Sequence, residues 1–273
     1  MSTNINFDKK LGVTSRSSSI TLPSEERLFD TTSWAFGGVD DYLTNTVSFD
    51  TVQADSGGGA NVKWSVVFWV KLDAISGSQY MYQIRDAGGS SIQTLLVNSG
   101  GRLDAFMTGS ASNWSRTANG VITAGNWHLI SMVYDGTLGR YDRQKVYADA
   151  DRTGESSNFF SANHPQSGSI TLGATGAATN HMGGHMNEIA VWYGTALSQS
   201  QLEDIYNSGG PALDLDNISG INSPTHWFRS ENAVWSGPDP GGEHYLMTDE
   251  MGTGKKIRTN NMDEASRETD VPT

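Results

Sequence analysis

The stretch Val62-Lys63-Trp64-Ser65-Val66-Val67-Phe68-Trp69-Val70-Lys71-Leu72 decides the fold. Val62, Trp64, Val66, Phe68, Val70 and Leu72 fall on one side of an extended chain, and Lys63, Ser65 and Lys71 on the other. An alternation of period two with one apolar side predicts a β-strand packed on a core through a single face. Further strands are predicted at Gln79–Arg85, Ile92–Val97, Arg102–Met107, Trp127–Tyr134, Gln144–Ala148, Ser169–Gly173 and His185–Tyr193. Between them stand turn-forming runs: Asp86-Ala87-Gly88-Gly89, Asn98-Ser99-Gly100-Gly101, Asp135-Gly136 and Gly183-Gly184. Short strands recurring at this spacing, without alternating helices, predict antiparallel sheets. One short helix is predicted after Ser198, a candidate N-cap. Leu202, Ile205 and Tyr206 share a face, and Asn207-Ser208-Gly209-Gly210 ends it.

Composition agrees. Apolar residues make up 36% of the chain, charged residues 18%, and there are 31 Gly and eight Trp. This suits many short strands joined by turns and not a helical bundle. The net charge of −12 argues against a nucleic-acid partner, which needs a basic stripe, and against anionic lipid. With no cysteine, disulfides, thiolate zinc sites and cysteine nucleophiles are excluded. No run approaches the ~18 apolar residues of a membrane span.

The expected organisation is an N-terminal arm over 1–33, a β-sandwich over 34–237 and a C-terminal arm over 238–273. The last segment holds eight acidic and four basic residues and few large apolar ones, so both arms are expected to need a neighbour to order them.

Three segments together resemble the laminin-G-like, concanavalin A-like lectin/glucanase superfamily. Phe36-Gly37-Gly38-Val39-Asp40-Asp41-Tyr42-Leu43 is similar to its opening strand. Gly125-Asn126-Trp127-His128 through Tyr134-Asp135-Gly136, leading to Val146-Tyr147-Ala148-Asp149-Ala150, is similar to its central pair. Leu172-Gly173 with Met182 to Trp192, continuing through Leu197-Ser198 to Tyr206, is similar to its closing segment. The resemblance covers about residues 34–210 and implies an all-β jelly-roll sandwich of two antiparallel sheets. It leaves function open, since one fold hosts many roles.

The superfamily's glucanases place two or three carboxylates on one strand, and retaining hydrolysis needs a pair about 5–5.5 Å apart. The equivalent stretch here runs from Glu188 to Tyr193, with Ala190 and Trp192 where further carboxylates would stand. Glu188 is expected to accept hydrogen bonds from a neighbouring loop, and the chain to be no enzyme. His181 and His185 have zinc-like spacing, but Gly183-Gly184 between them breaks a helix. Gly252-Thr253-Gly254-Lys255 lacks the first glycine of a phosphate loop, Asp249 standing there.

Two binding chemistries remain. Asp135, Asp149 and Asp151, with Asp40 and Asp41, lie at strand ends where Ca²⁺ could find oxygen ligands or where Asp simply caps turns. No cofactor is expected to be required, Ca²⁺ being the one possible ion. Trp114, Tyr141, Asn180 and His181 are expected in loops, where they could form a carbohydrate platform; Trp114 is the favoured one because its immediate neighbours are all polar. The N-terminus carries no hydrophobic leader core. The expectation that follows is a non-enzymatic virion protein, a bacteriophage head decoration, tail or fibre component made in the host cytoplasm. Its partners would be other virion proteins or its own copies, held through the arms, and host glycans. The alternative is an extracellular carbohydrate-binding module of a larger secreted or cell-surface protein.

Overall fold

A computed structural model describes residues 31–45, 49–50, 62–85, 89–107, 114–139, 141–151, 156–157, 167–210, 214–239 and 242–272. The expected N-terminal arm up to residue 30 and the turn at 86–88 lie outside the described residues.

The strands are β1 (Ser33–Gly37), β2 (Tyr42–Asn45), β3 (Phe49–Asp50), β4 (Lys63–Leu72), β5 (Gln79–Arg85), β6 (Ser91–Val97), β7 (Leu103–Met107), β8 (Trp114–Arg116) and β9 (Trp127–Asp135). They continue with β10 (Gln144–Ala148), β11 (Ser156–Ser157), β12 (Ser167–Leu172), β13 (Gly183–Tyr193), β14 (His226–Phe228), β15 (Ala233–Asp239), β16 (Gly242–Thr248), β17 (Lys256–Asn260) and β18 (Arg267–Glu268). One helix, α1, spans Gln199–Tyr206.

Among the described residues two antiparallel sheets form. The smaller runs β10-β9-β4-β13-β1-β18, with β14 also on β13. The larger runs β11-β8-β7-β6-β5-β12-β2-β17-β16-β15, with β3 on β12. The fold is an all-β jelly-roll sandwich with one short helix. No helix among the described residues is long and apolar enough to cross a membrane.

The main core lies between the sheets and takes Trp64, Val66, Phe68, Val70 and Leu72 from β4, the face read from the sequence. The other face of β4 is not open as expected. Val67 and Trp69 are buried there in a second core with Trp192, Leu197, Leu202, Ile205 and Trp227. That cover comes from α1 and the segment after it. A helix of eight residues is marginal alone. This one is held by a reciprocal cap, Ser198 Oγ accepting from Gln201 N and Gln201 Oε1 from Ser198 N, and by Leu202 and Ile205 beneath it. Asn207, in the left-handed region, closes it.

Two sequence expectations need correction. Gly183-Gly184 is not a turn but opens β13. Gly184 pairs with both Phe36 and Leu72, and a Cβ there would stand 2.1 Å from Lys71 O, so the central strand passes only because the residue is glycine. The tail beyond 237 is not an arm awaiting a neighbour. Its β16 and β17 join the larger sheet through β2, and β18 joins β1. Tyr245, Met247 and Ile257 enter the main core. Asp270 then ties the end down, its carboxylate accepting from Lys71 Nζ at 2.5 Å and Trp127 Nε1 at 2.9 Å. The few apolar residues of this tail alternate with polar ones, which is all that a strand packed on one face needs.

Candidate functional site

Trp114 lies on a strand and not in a loop. In β8 the alternation turns Ser115 into the sandwich and sends Trp114 and Arg116 to the outer face of the larger sheet. Pairing with β7 sets Trp114 opposite Phe106 and Arg116 opposite Asp104. The Arg116 guanidinium stands 3.8 Å from the centre of the Trp114 ring and 5.9 Å from that of Phe106. Asp104, 4% exposed, accepts two hydrogen bonds from Arg102, both 3.0 Å, and ion-pairs with Arg116 Nε at 2.5 Å. Two guanidinium groups on one carboxylate leave this corner a net positive charge on a protein of charge −12. Arg102 forks onto the Asp104 carboxylate through two parallel charge-assisted hydrogen bonds, while Arg116 meets it as an ion pair and lies against the half-buried indole.

Registers extend the row inward. Thr94 stands opposite Phe106, and Gln83 opposite Thr94, with Gln83 Nε2 donating to Thr94 Oγ1 at 3.0 Å. Gln83 Oε1 accepts from Gly176 N at 2.6 Å, so the loop joining β12 to β13 leans over this row. That loop holds Asn180 and His181. Asn180 O accepts from Tyr80 N at 3.3 Å. The His181 ring nitrogens face Asp41 O at 3.2 Å and Ala178 O at 3.0 Å, and the ring lies beside Tyr42. The Gly176 end of the loop and Trp114 therefore border one face, three strand spacings or about 14 Å apart, whereas His181 lies beside Tyr42 of β2, two strands further along the sheet. Tyr141 does not join them. It sits, 51% exposed, in the β9–β10 connection of the smaller sheet.

The aspartates are not brought together. The Asp135 carboxylate accepts from Thr137 and pairs with Lys63 at 3.1 Å. Burial would raise its pKa, but the bonds from Thr137 and Lys63 outweigh that and hold it below the ordinary value. Asp149 spends both oxygens on His128 Nδ1 and Leu129 N, at 2.7 and 2.9 Å. Asp151 is exposed and bridges Ala148 through its backbone. Burial raises the pKa of Asp41, whose carboxylate accepts from Gly37 N at 2.5 Å. Among the described residues no three His, Asp or Glu side chains converge as a cation would require.

Glu188 is 3% exposed and sits at a β-bulge in β13 with φ of +51°. The bulge turns its carboxylate toward β14, where it accepts from Trp227 Nε1 and from Arg229 Nε at 3.1 Å. Arg229 also reaches Glu231 at 3.2 Å. Glu188 thus serves as a buried acceptor, as its lone position on the strand implied. The residues that sequence reasoning missed are Arg102, Asp104, Phe106 and Arg116. The signal was present as two period-two runs, Arg102-x-Asp104-x-Phe106 and Trp114-x-Arg116, but nothing local says that they pair.

The family model described as the concanavalin A-like lectin/glucanases superfamily matches residues 44–203, more than half of the chain. The chain belongs to this superfamily. A search of curated proteins finds no match. Among solved structures, a similar fold is seen in a candidate carbohydrate binding protein from Bacteroides ovatus, 12% identical with a TM-score of 0.56. The match covers 86% of this chain, which spans 60% of the length of that protein. A SAP-like pentraxin from Limulus polyphemus is 16% identical with a TM-score of 0.47, over 64% of this chain and 82% of that one. The CBM40 of a Ruminococcus gnavus IT-sialidase, bound to α2,3-sialyllactose, is 11% identical with a TM-score of 0.42, over 64% and 97%. At these identities the likeness is one of fold. The segments outside the matched stretch include β1, β14 and the whole tail from β15 to β18.

Proposed function

We propose that this chain is a non-enzymatic, glycan-binding lectin-type domain whose binding surface is the outer face of the larger sheet beside Trp114. The observation that carries this reading is the Trp114 ring held against Arg116, next to Phe106, with Arg102 and Asp104 fixing the arginine. Sugar rings have apolar C–H faces that stack on an indole and oxygens that accept from guanidinium donors. A pre-ordered platform loses little entropy when such a weak ligand binds. The description of the Bacteroides ovatus protein points the same way. Hydrolysis is not part of the reading, because Ala190 and Trp192 supply no partner for Glu188 and Glu188 is already engaged. The same surface serves equally as a virion component or as a module of a larger secreted chain.

The test is a glycan array probed with the purified chain, with Ca²⁺ and with EDTA. The expected result is a defined set of bound glycans, weakened about tenfold or more in Trp114→Ala as for a central aromatic anchor, and unchanged by EDTA. Arg116→Ala weakens the same set. Binding indifferent to both substitutions, or no captured glycan, overturns the reading. An EDTA-sensitive signal assigns the aspartates a calcium role instead.

A further inference from the structure

The tail that follows the family segment lines a cleft at one edge of the sandwich. There β15 and β16 form the edge of the larger sheet, while β18 and the turn before it form the edge of the smaller. Between these edges lies a cleft of about 670 Å³ lined by Trp235, Tyr245, Asp263, Glu264, Ala265 and Arg267, among others. This lies within the range of roughly 300–1,000 Å³ in which small ligands are held.

Its floor is a file of rings leading out of the main core. Trp34 is 1% exposed and lies 5.5 Å from Tyr245; Tyr245 is 7% exposed and lies 5.1 Å, edge to face, from Trp235; Trp235 is 42% exposed. Each ring is braced by the one behind it, and Trp34 donates to Met247 Sδ at 3.1 Å. Trp235 is thus a braced indole left 42% exposed in a concave, largely polar setting, where its ring face is open to a ligand. The opposite wall is polar and also fixed. Asp263 Oδ1 accepts from Ser266 N at 3.1 Å, capping the turn that carries Glu264 and Ala265. Arg267 donates to Glu231 O and, at 3.4 Å, to Thr32 Oγ1.

We infer that this cleft is a second binding site, for one or two rings of a neutral sugar, stacked on Trp235 with hydroxyls donated to Asp263 and Glu264. Two carboxylates against one guanidinium repel an acidic sugar, unlike the arginine-rich corner beside Trp114. Arg267 in the same wall disfavours a cationic ligand, which an aromatic platform with carboxylates would otherwise suit. Neutral hydroxyls fit both signs, donating to the carboxylates and accepting from the guanidinium. The site does not depend on the Trp114 reading, because its lining lies entirely outside residues 44–203.

The experiment follows the eight tryptophan indole N–H signals of the full chain by NMR, the Trp235 signal being identified from Trp235→Phe. Cellohexaose, mannohexaose and chitohexaose are titrated to millimolar concentration, with trigalacturonate and tetramethylammonium as acidic and cationic probes. The expected result is that a neutral hexasaccharide moves the Trp235 signal and the two charged probes do not. Trp235→Ala should lower the affinity about tenfold or more, as for a central aromatic anchor. Asp263→Asn with Glu264→Gln, at exposed positions that leave the core intact, should lower it several-fold. Trp114→Ala leaves the Trp235 response intact even where it abolishes other glycan binding, so the two readings fail separately. No neutral oligosaccharide moving the Trp235 signal, a response to tetramethylammonium alone, or a sugar affinity unchanged by Trp235→Ala overturns the inference.

Discussion

His226 and Asp249 form a buried pair, Nδ1 to Oδ2 at 2.7 Å, while Asp249 Oδ1 accepts from the next residue's N–H, that of Trp227, at 2.9 Å. His128 and Asp149 repeat the arrangement on the other side of the second core, with Leu129 N as the third member. In both, a histidine on a strand and the backbone N–H after it are held by one aspartate from a distant turn. The unit fastens the turn to the strand through two bonds to one carboxylate, and at His128 the ring's other nitrogen accepts from Thr123 N at 3.2 Å. These contacts anchor β9 and β14, the strands that flank β4 and β13 beneath α1.

Asp249 gives the first prediction. Burial would raise its pKa, but bonds from His226, Thr253, Trp227 N and Met251 N outweigh it and hold the group below the ordinary carboxylate value. A carboxyl depressed in the fold contributes stability that is fully present above its unfolded value of about 4 and lost as pH falls through the folded value. Thermal melts of the wild type should therefore fall in Tm as pH drops below about 4. Asp249→Asn should lose about 1–3 kcal/mol at neutral pH and show a flatter acid limb. Parallel acid limbs for the two proteins would refute this.

Glu188→Gln should cost about 2–4 kcal/mol, because it leaves Arg229 buried beside a neutral partner, the contact with Glu231 offsetting part of the loss. A double-mutant cycle with Arg229→Met should show strong coupling. Neither protein should release reducing sugar from β-glucan, and a wild-type activity lost in Glu188→Gln would restore the hydrolase reading.

Ending the chain at residue 237 should abolish cooperative unfolding. It removes β16 to β18 and takes Tyr245, Met247 and Ile257 out of the core. At roughly 1.5–3 kcal/mol for each large apolar side chain, that loss approaches the whole 5–15 kcal/mol of a typical domain. Near-UV circular dichroism during a thermal melt would show it, and a truncated chain melting like the wild type would return the tail to the status of an arm.

Leu202→Ala should destabilise by about 2–5 kcal/mol although it lies on a helix outside both sheets, since Leu202 is fully buried against Trp69 and its neighbours. Gln199→Ala on the same helix should stay within about 0.5 kcal/mol. Denaturant unfolding of both separates a second core from a surface ornament.

Much of the fold was legible. Gln79–Arg85 and Gln144–Ala148 match β5 and β10 end to end, and Ser198 caps α1 with the box that Gln201 completes. These are local matters: alternation, turn residues and a cap four residues long. The tail was misread because Tyr245, Met247 and Ile257 are few among charges, and only pairing with β2 shows that they share one face. The candidate site was half legible for the same reason. Trp114 stood out by its polar neighbours, whereas Arg102, Asp104 and Phe106 meet it only through the β7–β8 register. Tyr141 had the same loop-like surroundings and went to the other sheet.

What the sequence alone determined is the β-sandwich, its helix and its superfamily, because hydrophobic period, glycine placement and caps act within a few residues. What only the tertiary structure decided is which faces are covered and which side chains meet. Val67 and Trp69 are buried because α1 lies over them. Arg116 lies over Trp114 because two strands pair in one register. Trp235 is left partly exposed because β15 is the last strand of the larger sheet. Those outcomes depend on contacts between residues far apart in the chain, on which local propensity carries no information.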